Sequence, residues 1–135
     1  MNRDTLKVNL TAAEGKGPTL YTDSEGVPTF GVGHNANRPI TEKAIQQILD
    51  DDIDTAVSEL DRAFAGWRDH SEARQTALVE LSFNLGAVRL AGFIQFWTAM
   101  RAKDYQGAHD ALLDSKWAGQ VHGRAQRLAE TILKG

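Results

Sequence analysis

Residues 14–35 read EGKGPTLYTDSEGVPTFGVGHN, and the parsing of this stretch decides the fold. All three prolines (Pro18, Pro28, Pro39) and five of the twelve glycines (Gly15, Gly17, Gly26, Gly31, Gly33) fall between residues 15 and 39. Proline removes a backbone donor and glycine admits left-handed conformations, so this density predicts turns and short strands. LYTD (20–23) and VPTFGVGH (27–34) flank the turn residues SEG (24–26), which reads as a hairpin. Upstream, Leu6, Leu10 and Ala13 recur at helical spacing until GKGP (15–18) stops the helix. Downstream, Thr41 is placed to cap a helix carrying Ile45, Ile48, Leu49, Ile53, Val57, Leu60 and Phe64, which ends near Gly66.

The remainder reads as a succession of helices. Ser71 and Glu72 open one that carries Ala77, Leu78, Leu81 and Leu85 and closes at Gly86. A short loop leads into Phe93, Phe96, Trp97 and Met100. Asp104 starts a segment with Tyr105, Ala108, Leu112 and Leu113, and Ala125, Leu128, Ala129, Ile132 and Leu133 mark the last helix. The expected fold is α+β and mainly helical: a small β-hairpin lobe, a long connecting helix and a helical C-terminal lobe. One domain spans residues 1–135, with a first lobe of about 12–55 and a second made of about 66–135 plus the N-terminal helix. A ligand site is expected between two such lobes.

The composition narrows the classes of function. The chain has 135 residues, 41% of them apolar, 24% charged and none cysteine. It is long enough for a substantial core, and it has no thiol nucleophile, disulfide or cysteine-held metal. Fifteen basic and eighteen acidic side chains leave a net charge of −3, split as −5 over residues 1–70 and +2 over 71–135. Phosphate affinity needs clustered Lys and Arg, so no nucleic-acid partner is expected. No apolar run approaches a membrane span. Arg3, Asp4 and Lys7 stand where a secretion signal needs an apolar stretch.

Three residues are candidates for chemistry. Glu14 falls in the last turn of its helix, where the negative end of the helix dipole disfavours an ionised carboxylate. Partial burial would act the same way, as a general acid requires; the other reading is a solvated side chain at a frayed helix end. Asp23 sits at the mouth of the hairpin turn, where aspartate commonly binds its own backbone. Strand alternation puts Phe30 and Val32 on one face and Thr29, Gly31 and Gly33 on the other. A face so stripped of bulk suits the close approach of a ligand. Thr29 is therefore expected on an open surface beside Asp23, with Glu14 converging on the same groove. His70, His109 and His122 have no ligand spacing, so neither a metal nor a cofactor is expected.

This segment resembles the active-site region of the phage-type lysozymes, glycoside hydrolase family 24, a family that includes the T-even phage enzymes. The shared pattern is Glu14-Gly15, Asp23 nine residues after the glutamate, Thr29 six further on, then Gly31, Gly33 and His34. The resemblance continues through RQTALVELSFNLG (74–86), LAGF (90–93), SKW (115–117) and GRAQRL (123–128), and covers the chain from about residue 6 onward. It implies a muramidase (endolysin) that cleaves the β-1,4 bond between N-acetylmuramic acid and N-acetylglucosamine in peptidoglycan, with inversion. Glu14 corresponds to the general acid, Asp23 to the carboxylate that activates water or stabilises the oxocarbenium ion, and Thr29 to the hydroxyl on that water. Arg124 corresponds to an arginine pairing with the catalytic glutamate, which would oppose the helix-dipole effect on Glu14. His34 and Asp52 correspond to a structural ion pair.

Gly31, Asn84 and Arg124 are the expected substrate contacts. Asn84 matches a cleft glutamine one methylene longer, and either binds sugar or caps its helix before Gly86. Trp117, Trp67 and Trp97 are read as core residues rather than sugar platforms. Residues 35–40 (NANRPI) are shorter than the corresponding stretch in many family members, so the N-terminal lobe is expected to be reduced. Further expectations are a monomer made in the host cytoplasm, with peptidoglycan as partner, reaching the wall through a holin-like pore or another delivery route. The competing readings are a lytic transglycosylase, which needs neither Asp23 nor Thr29, and a non-catalytic peptidoglycan-binding module.

Overall fold

The computed structural model describes residues 1–135 and builds a mainly helical α+β fold, as the sequence predicts. Helix α1 (Arg3–Glu14) begins at Asn2, whose side chain accepts the Thr5 amide proton at 3.0 Å, and ends at Gly15 with φ 79°. Strands β1 (Gly17–Thr22), β2 (Pro28–Gly31) and β3 (His34–Asn35) form an antiparallel sheet in the order β1-β2-β3. The predicted hairpin thus supplies two strands of a three-stranded sheet. Its register pairs Gly17 with Gly31 and Tyr21 with Thr29, so β1 carries extra residues between those pairs and bulges. Pro18, which has no ladder donor, lies inside the bulge.

Thr41 caps helix α2 (Glu42–Ala63), its hydroxyl accepting from the Ala44 amide at 3.2 Å. Helix α2 is followed by a single 3-10 turn at Trp67–Asp69. Helices α3 (Glu72–Leu85), α4 (Ala87–Ala91), α5 (Ile94–Arg101), α6 (Tyr105–Leu113), α7 (Lys116–Val121) and α8 (Gly123–Lys134) complete the chain. Ser71, Asp104 and Ser115 each cap the helix they precede, which is why α3, α6 and α7 start where they do. Helices α4 and α7, of five and six residues, fall where the sequence offers too few turns to show a period.

Backbone contacts group the chain into two compact units, Met1–Ile45 and Gln46–Gly135. The first contains α1 and the sheet, and its one buried residue is Thr29. Leu6, Val8 and Leu10 of α1 are exposed. The second unit holds the whole apolar core. Leu60, Leu78, Leu81, Leu90, Met100, Leu112 and Ile132 are fully buried there. Phe64 stacks on Trp97 at 4.1 Å between ring centroids, with Phe96 edge-on to the same indole. Along α2 the predicted stripe divides: Leu60 and the following Phe64 are buried, whereas Ile45, Ile48, Leu49 and Ile53 are exposed.

Candidate active site

Glu14 is the last residue of α1, with no basic side chain in its final turn. Its carboxylate is exposed, and the chain leaves the helix at once through the left-handed Gly15, whose amide bonds Thr11 O at 3.0 Å. The turn between β2 and β3 comes up against it. Gly33 has φ 66°, and a Cβ placed there would stand 3.2 Å from both Cβ and Oε2 of Glu14. Only a residue without a side chain lets the backbone approach the carboxylate this closely in that conformation.

Asp23 and Thr29 meet on the peptide groups of Val27. Asp23 Oδ1 accepts the amide protons of Glu25 and Val27, each at 2.8 Å, so one carboxylate oxygen is committed to the turn. No hydrogen bond occupies Oδ2. Thr29 Oγ1 donates to Val27 O at 2.9 Å, and the residue is only 4% exposed. The expectation of an open Thr29 is corrected here. Strand β2 ends at Gly31, which already has φ 62°, and Gly33, with φ 66°, lies in the turn beyond it rather than on a bare strand face. A Cβ on Gly31 would meet open space, so that position is shaped by backbone conformation and not by crowding.

His34 rests on the Phe30 ring at 4.8 Å, and its Nε2 is buried without a hydrogen-bond partner, so the expected ion pair is not made at that nitrogen. Asp52 is an exposed residue of α2. In the second unit Asn84 and Arg124, both exposed, line a largely apolar pocket of about 700 Å³ with Leu49, Val79 and Phe83. Asn84 Oδ1 accepts the Trp117 indole proton at 2.7 Å. Asn84 is therefore not a free helix cap: it satisfies the polar end of a buried tryptophan. Trp67 and Trp97 are also core residues, their indoles bonded to Asp61 Oδ1 and Leu90 O.

The sequence did not single out four neighbours of Glu14. Lys16, Gly17, Thr19 and Tyr21 line a pocket of about 350 Å³ together with Glu14 and Gly15. The bulge in β1 brings them together, and Gly17 followed by Pro18 was its one visible signal. No cluster of three His, Asp or Glu side chains is arranged to hold a metal ion.

Residues 11–130 match the phage lysozyme family. Among curated proteins, the chain is 32% identical over 123 residues to the endolysin of Salmonella phage P22, covering 82% of this chain and 80% of that protein. It is 30% identical over 151 residues to the pre-baseplate central spike protein Gp5 of Enterobacteria phage T4. That match covers 90% of this chain but 26% of the spike protein, so the chain spans about a quarter of that relative's length.

Proposed function

The chain belongs to the phage lysozyme family, and from that premise we propose that it is a peptidoglycan hydrolase of the lysozyme class. Its bond is the β-1,4 link between N-acetylmuramic acid and N-acetylglucosamine, cut by acid-assisted attack of water with inversion. The observation that carries the reading is the contrast between the two carboxylates of the first unit. Glu14 is exposed at a helix C-terminus with its carboxylate oxygens free of hydrogen bonds, while Asp23 is anchored through Oδ1 and presents Oδ2. An acid with no partner of its own suits protonation of the leaving glycosidic oxygen, and an anchored carboxylate suits a fixed water.

In this reaction Glu14 gives its proton to the glycosidic oxygen as the bond from C1 breaks. Water attacks C1 from the opposite face and passes a proton to Asp23. Inversion requires the two carboxyl groups to stand roughly 6.5–9.5 Å apart when substrate is bound, leaving room for that water. Thr29 spends its own proton on Val27 O, so its role is to accept a hydrogen bond from the water. The lobe limits of about 12–55 and 66–135 plus the N-terminal helix belong to the same proposal. One chain carries every residue required, so a monomer suffices. No helix is long and apolar enough to cross a membrane; delivery to the wall is by a holin-like pore or another route.

The test is mass spectrometry of soluble products from purified peptidoglycan, with Glu14→Gln alongside. The expected products end in free reducing muramic acid, and the variant loses about 10²–10⁴-fold in rate, the usual worth of a general acid, with its unfolding midpoint nearly unchanged. Products lighter by one water, ending in a 1,6-anhydro sugar, would make the protein a lytic transglycosylase and remove Asp23 and Thr29 from the chemistry. Tight binding without fragments would make it a wall-binding module.

A further inference from the structure

The pocket beside Glu14 has a composition that proton donation alone does not explain. In a regular strand, residues 17 and 21 lie on one face but about 13 Å apart, at roughly 3.3 Å per residue. The bulge in β1 folds that distance away: the Tyr21 ring lies so close over Gly17 that a Cβ there would stand 2.5 Å from Cε1 and 2.6 Å from Cδ1. The ring is half-buried, and no hydrogen bond holds its hydroxyl. Thr19 reaches the same pocket with its hydroxyl uncommitted. Lys16, two residues beyond Glu14, lines it as well and takes part in none of the chain's ion pairs. One aromatic wall, one hydroxyl and one unpaired cation therefore border the exposed Glu14 carboxylate.

An aromatic face flanked by hydroxyl donors suits a sugar ring, whose C–H face is apolar and whose edge is polar. The cation is the more specific feature. When ionised, Glu14 would repel a ligand carrying its own carboxylate, and Lys16 is the group placed to offset that repulsion. We propose that this pocket recognises a carboxylate-bearing saccharide unit, with Lys16 pairing with the carboxylate and the Tyr21 ring forming the wall against the sugar. The proposal rests on Glu14 as the acid and makes Lys16 and Tyr21 determinants of which glycan is cut. On the glycan, the carboxylate belongs either to the lactyl group of a muramic acid freed of its peptide or to the peptide itself.

Initial rates on three substrates separate these sources: peptide-bearing glycan strands, strands stripped by an amidase, and peptide-bearing strands whose carboxylates are converted to methylamides. The native protein is expected to cut at least one carboxylate-bearing substrate roughly two- to fivefold faster, by kcat/KM, than the methylamide strands, the range of an exposed ion pair. The preference should weaken as salt is raised. Lys16→Gln is expected to bring the ratio close to one and Lys16→Arg to restore it, while Tyr21→Leu raises KM on all three. A preference limited to stripped strands assigns the lactyl carboxylate; one limited to peptide-bearing strands assigns the peptide. Equal rates of the native protein on all three substrates, or a ratio unchanged in Lys16→Gln, would overturn the proposal. If the native protein cuts none of them, the hydrolase reading fails by itself. Titration of a soluble disaccharide-peptide followed by NMR then decides: shifts at Lys16 and Tyr21 that vanish on methylamidation uphold the pocket, and their absence overturns it.

Discussion

Residues 1–45 and residues 46–135 are held together by different physics. Every buried apolar residue lies at Ala56 or beyond, and the one buried residue of the first unit is the hydroxyl-bearing Thr29. The second unit is ordered by burial, around a stacked Phe64–Trp97 pair and leucines from five helices. The first is ordered by backbone: a helix stopped by Gly15, an aspartate holding two amides, a bulge and glycines with positive φ. The candidate acid and its companions all fall in the backbone-ordered part. Conformation fixed by turns places a carboxylate while leaving it open to a ligand; a side chain fixed by burial is not open in that way.

The sharpest way to break this contrast is to empty the core. Leu81 is fully buried in α3, so Leu81→Ala should cost about 2–5 kcal/mol, the range for deleting a buried leucine side chain. Urea unfolding followed by tryptophan fluorescence reads the second unit, because all three tryptophans lie there. A loss under about 1 kcal/mol would mean that the helical core is loosely packed and the contrast is weak.

Asp23 tests the other side of the comparison. Asp23→Asn keeps an oxygen to accept from the Glu25 and Val27 amides but removes the charge; Asp23→Ala removes both. Alanine should cost about 1–2 kcal/mol in the turn, seen as faster amide exchange at Glu25 and Val27 with little change in tryptophan-detected unfolding. Asparagine should leave exchange nearly native while activity on peptidoglycan falls. If Asn exchanges as fast as Ala, the charge and not the acceptor holds the turn.

Much of this was legible in the sequence because local chemistry decides it. Ser71, Thr41 and Gly86 announce their helix ends, and Asp23 before Ser24-Glu25-Gly26 announces its turn. What escaped depends on pairings that no local pattern shows. Strand β3 is two residues long, and helices α4 and α7 are too short for a period. Simple alternation leaves Thr29 open because it treats Val32 and Gly33 as strand, whereas β2 stops at Gly31 and Gly33 lies in the turn that follows. The pocket at Lys16 and Tyr21 needs a bulge that brings residues 17 and 21 together, and only the pairing register reveals it.

A smaller effect separates structure from binding at Asn84. Its Oδ1 satisfies the Trp117 indole from an exposed position where water can partly replace it, so Asn84→Ala should cost about 1 kcal/mol. The near-ultraviolet circular dichroism of the tryptophans should change with it. If stability is untouched and only activity drops, Asn84 serves the sugar rather than the core.

The smallest effect lies at the join between α3 and α6. His70 Nδ1 meets Tyr105 Oη at 3.0 Å, and Arg74 lies over the Tyr105 ring while donating to Ile132 O and Leu133 O at the end of α8. Burial is the main cause holding the His70 imidazole below its usual pKa, with Lys103 and Arg74 adding to it and Asp69 opposing. The folded state then binds this proton less readily than the unfolded chain does. Stability is full above the ordinary histidine value near 6.5 and declines as pH falls through it toward the lower folded value. The urea midpoint should therefore be lower at pH 5 than at pH 7.5, and His70→Gln should flatten that slope. If the slope persists in the variant, other titrating groups are responsible and the network around Tyr105 is a static tie.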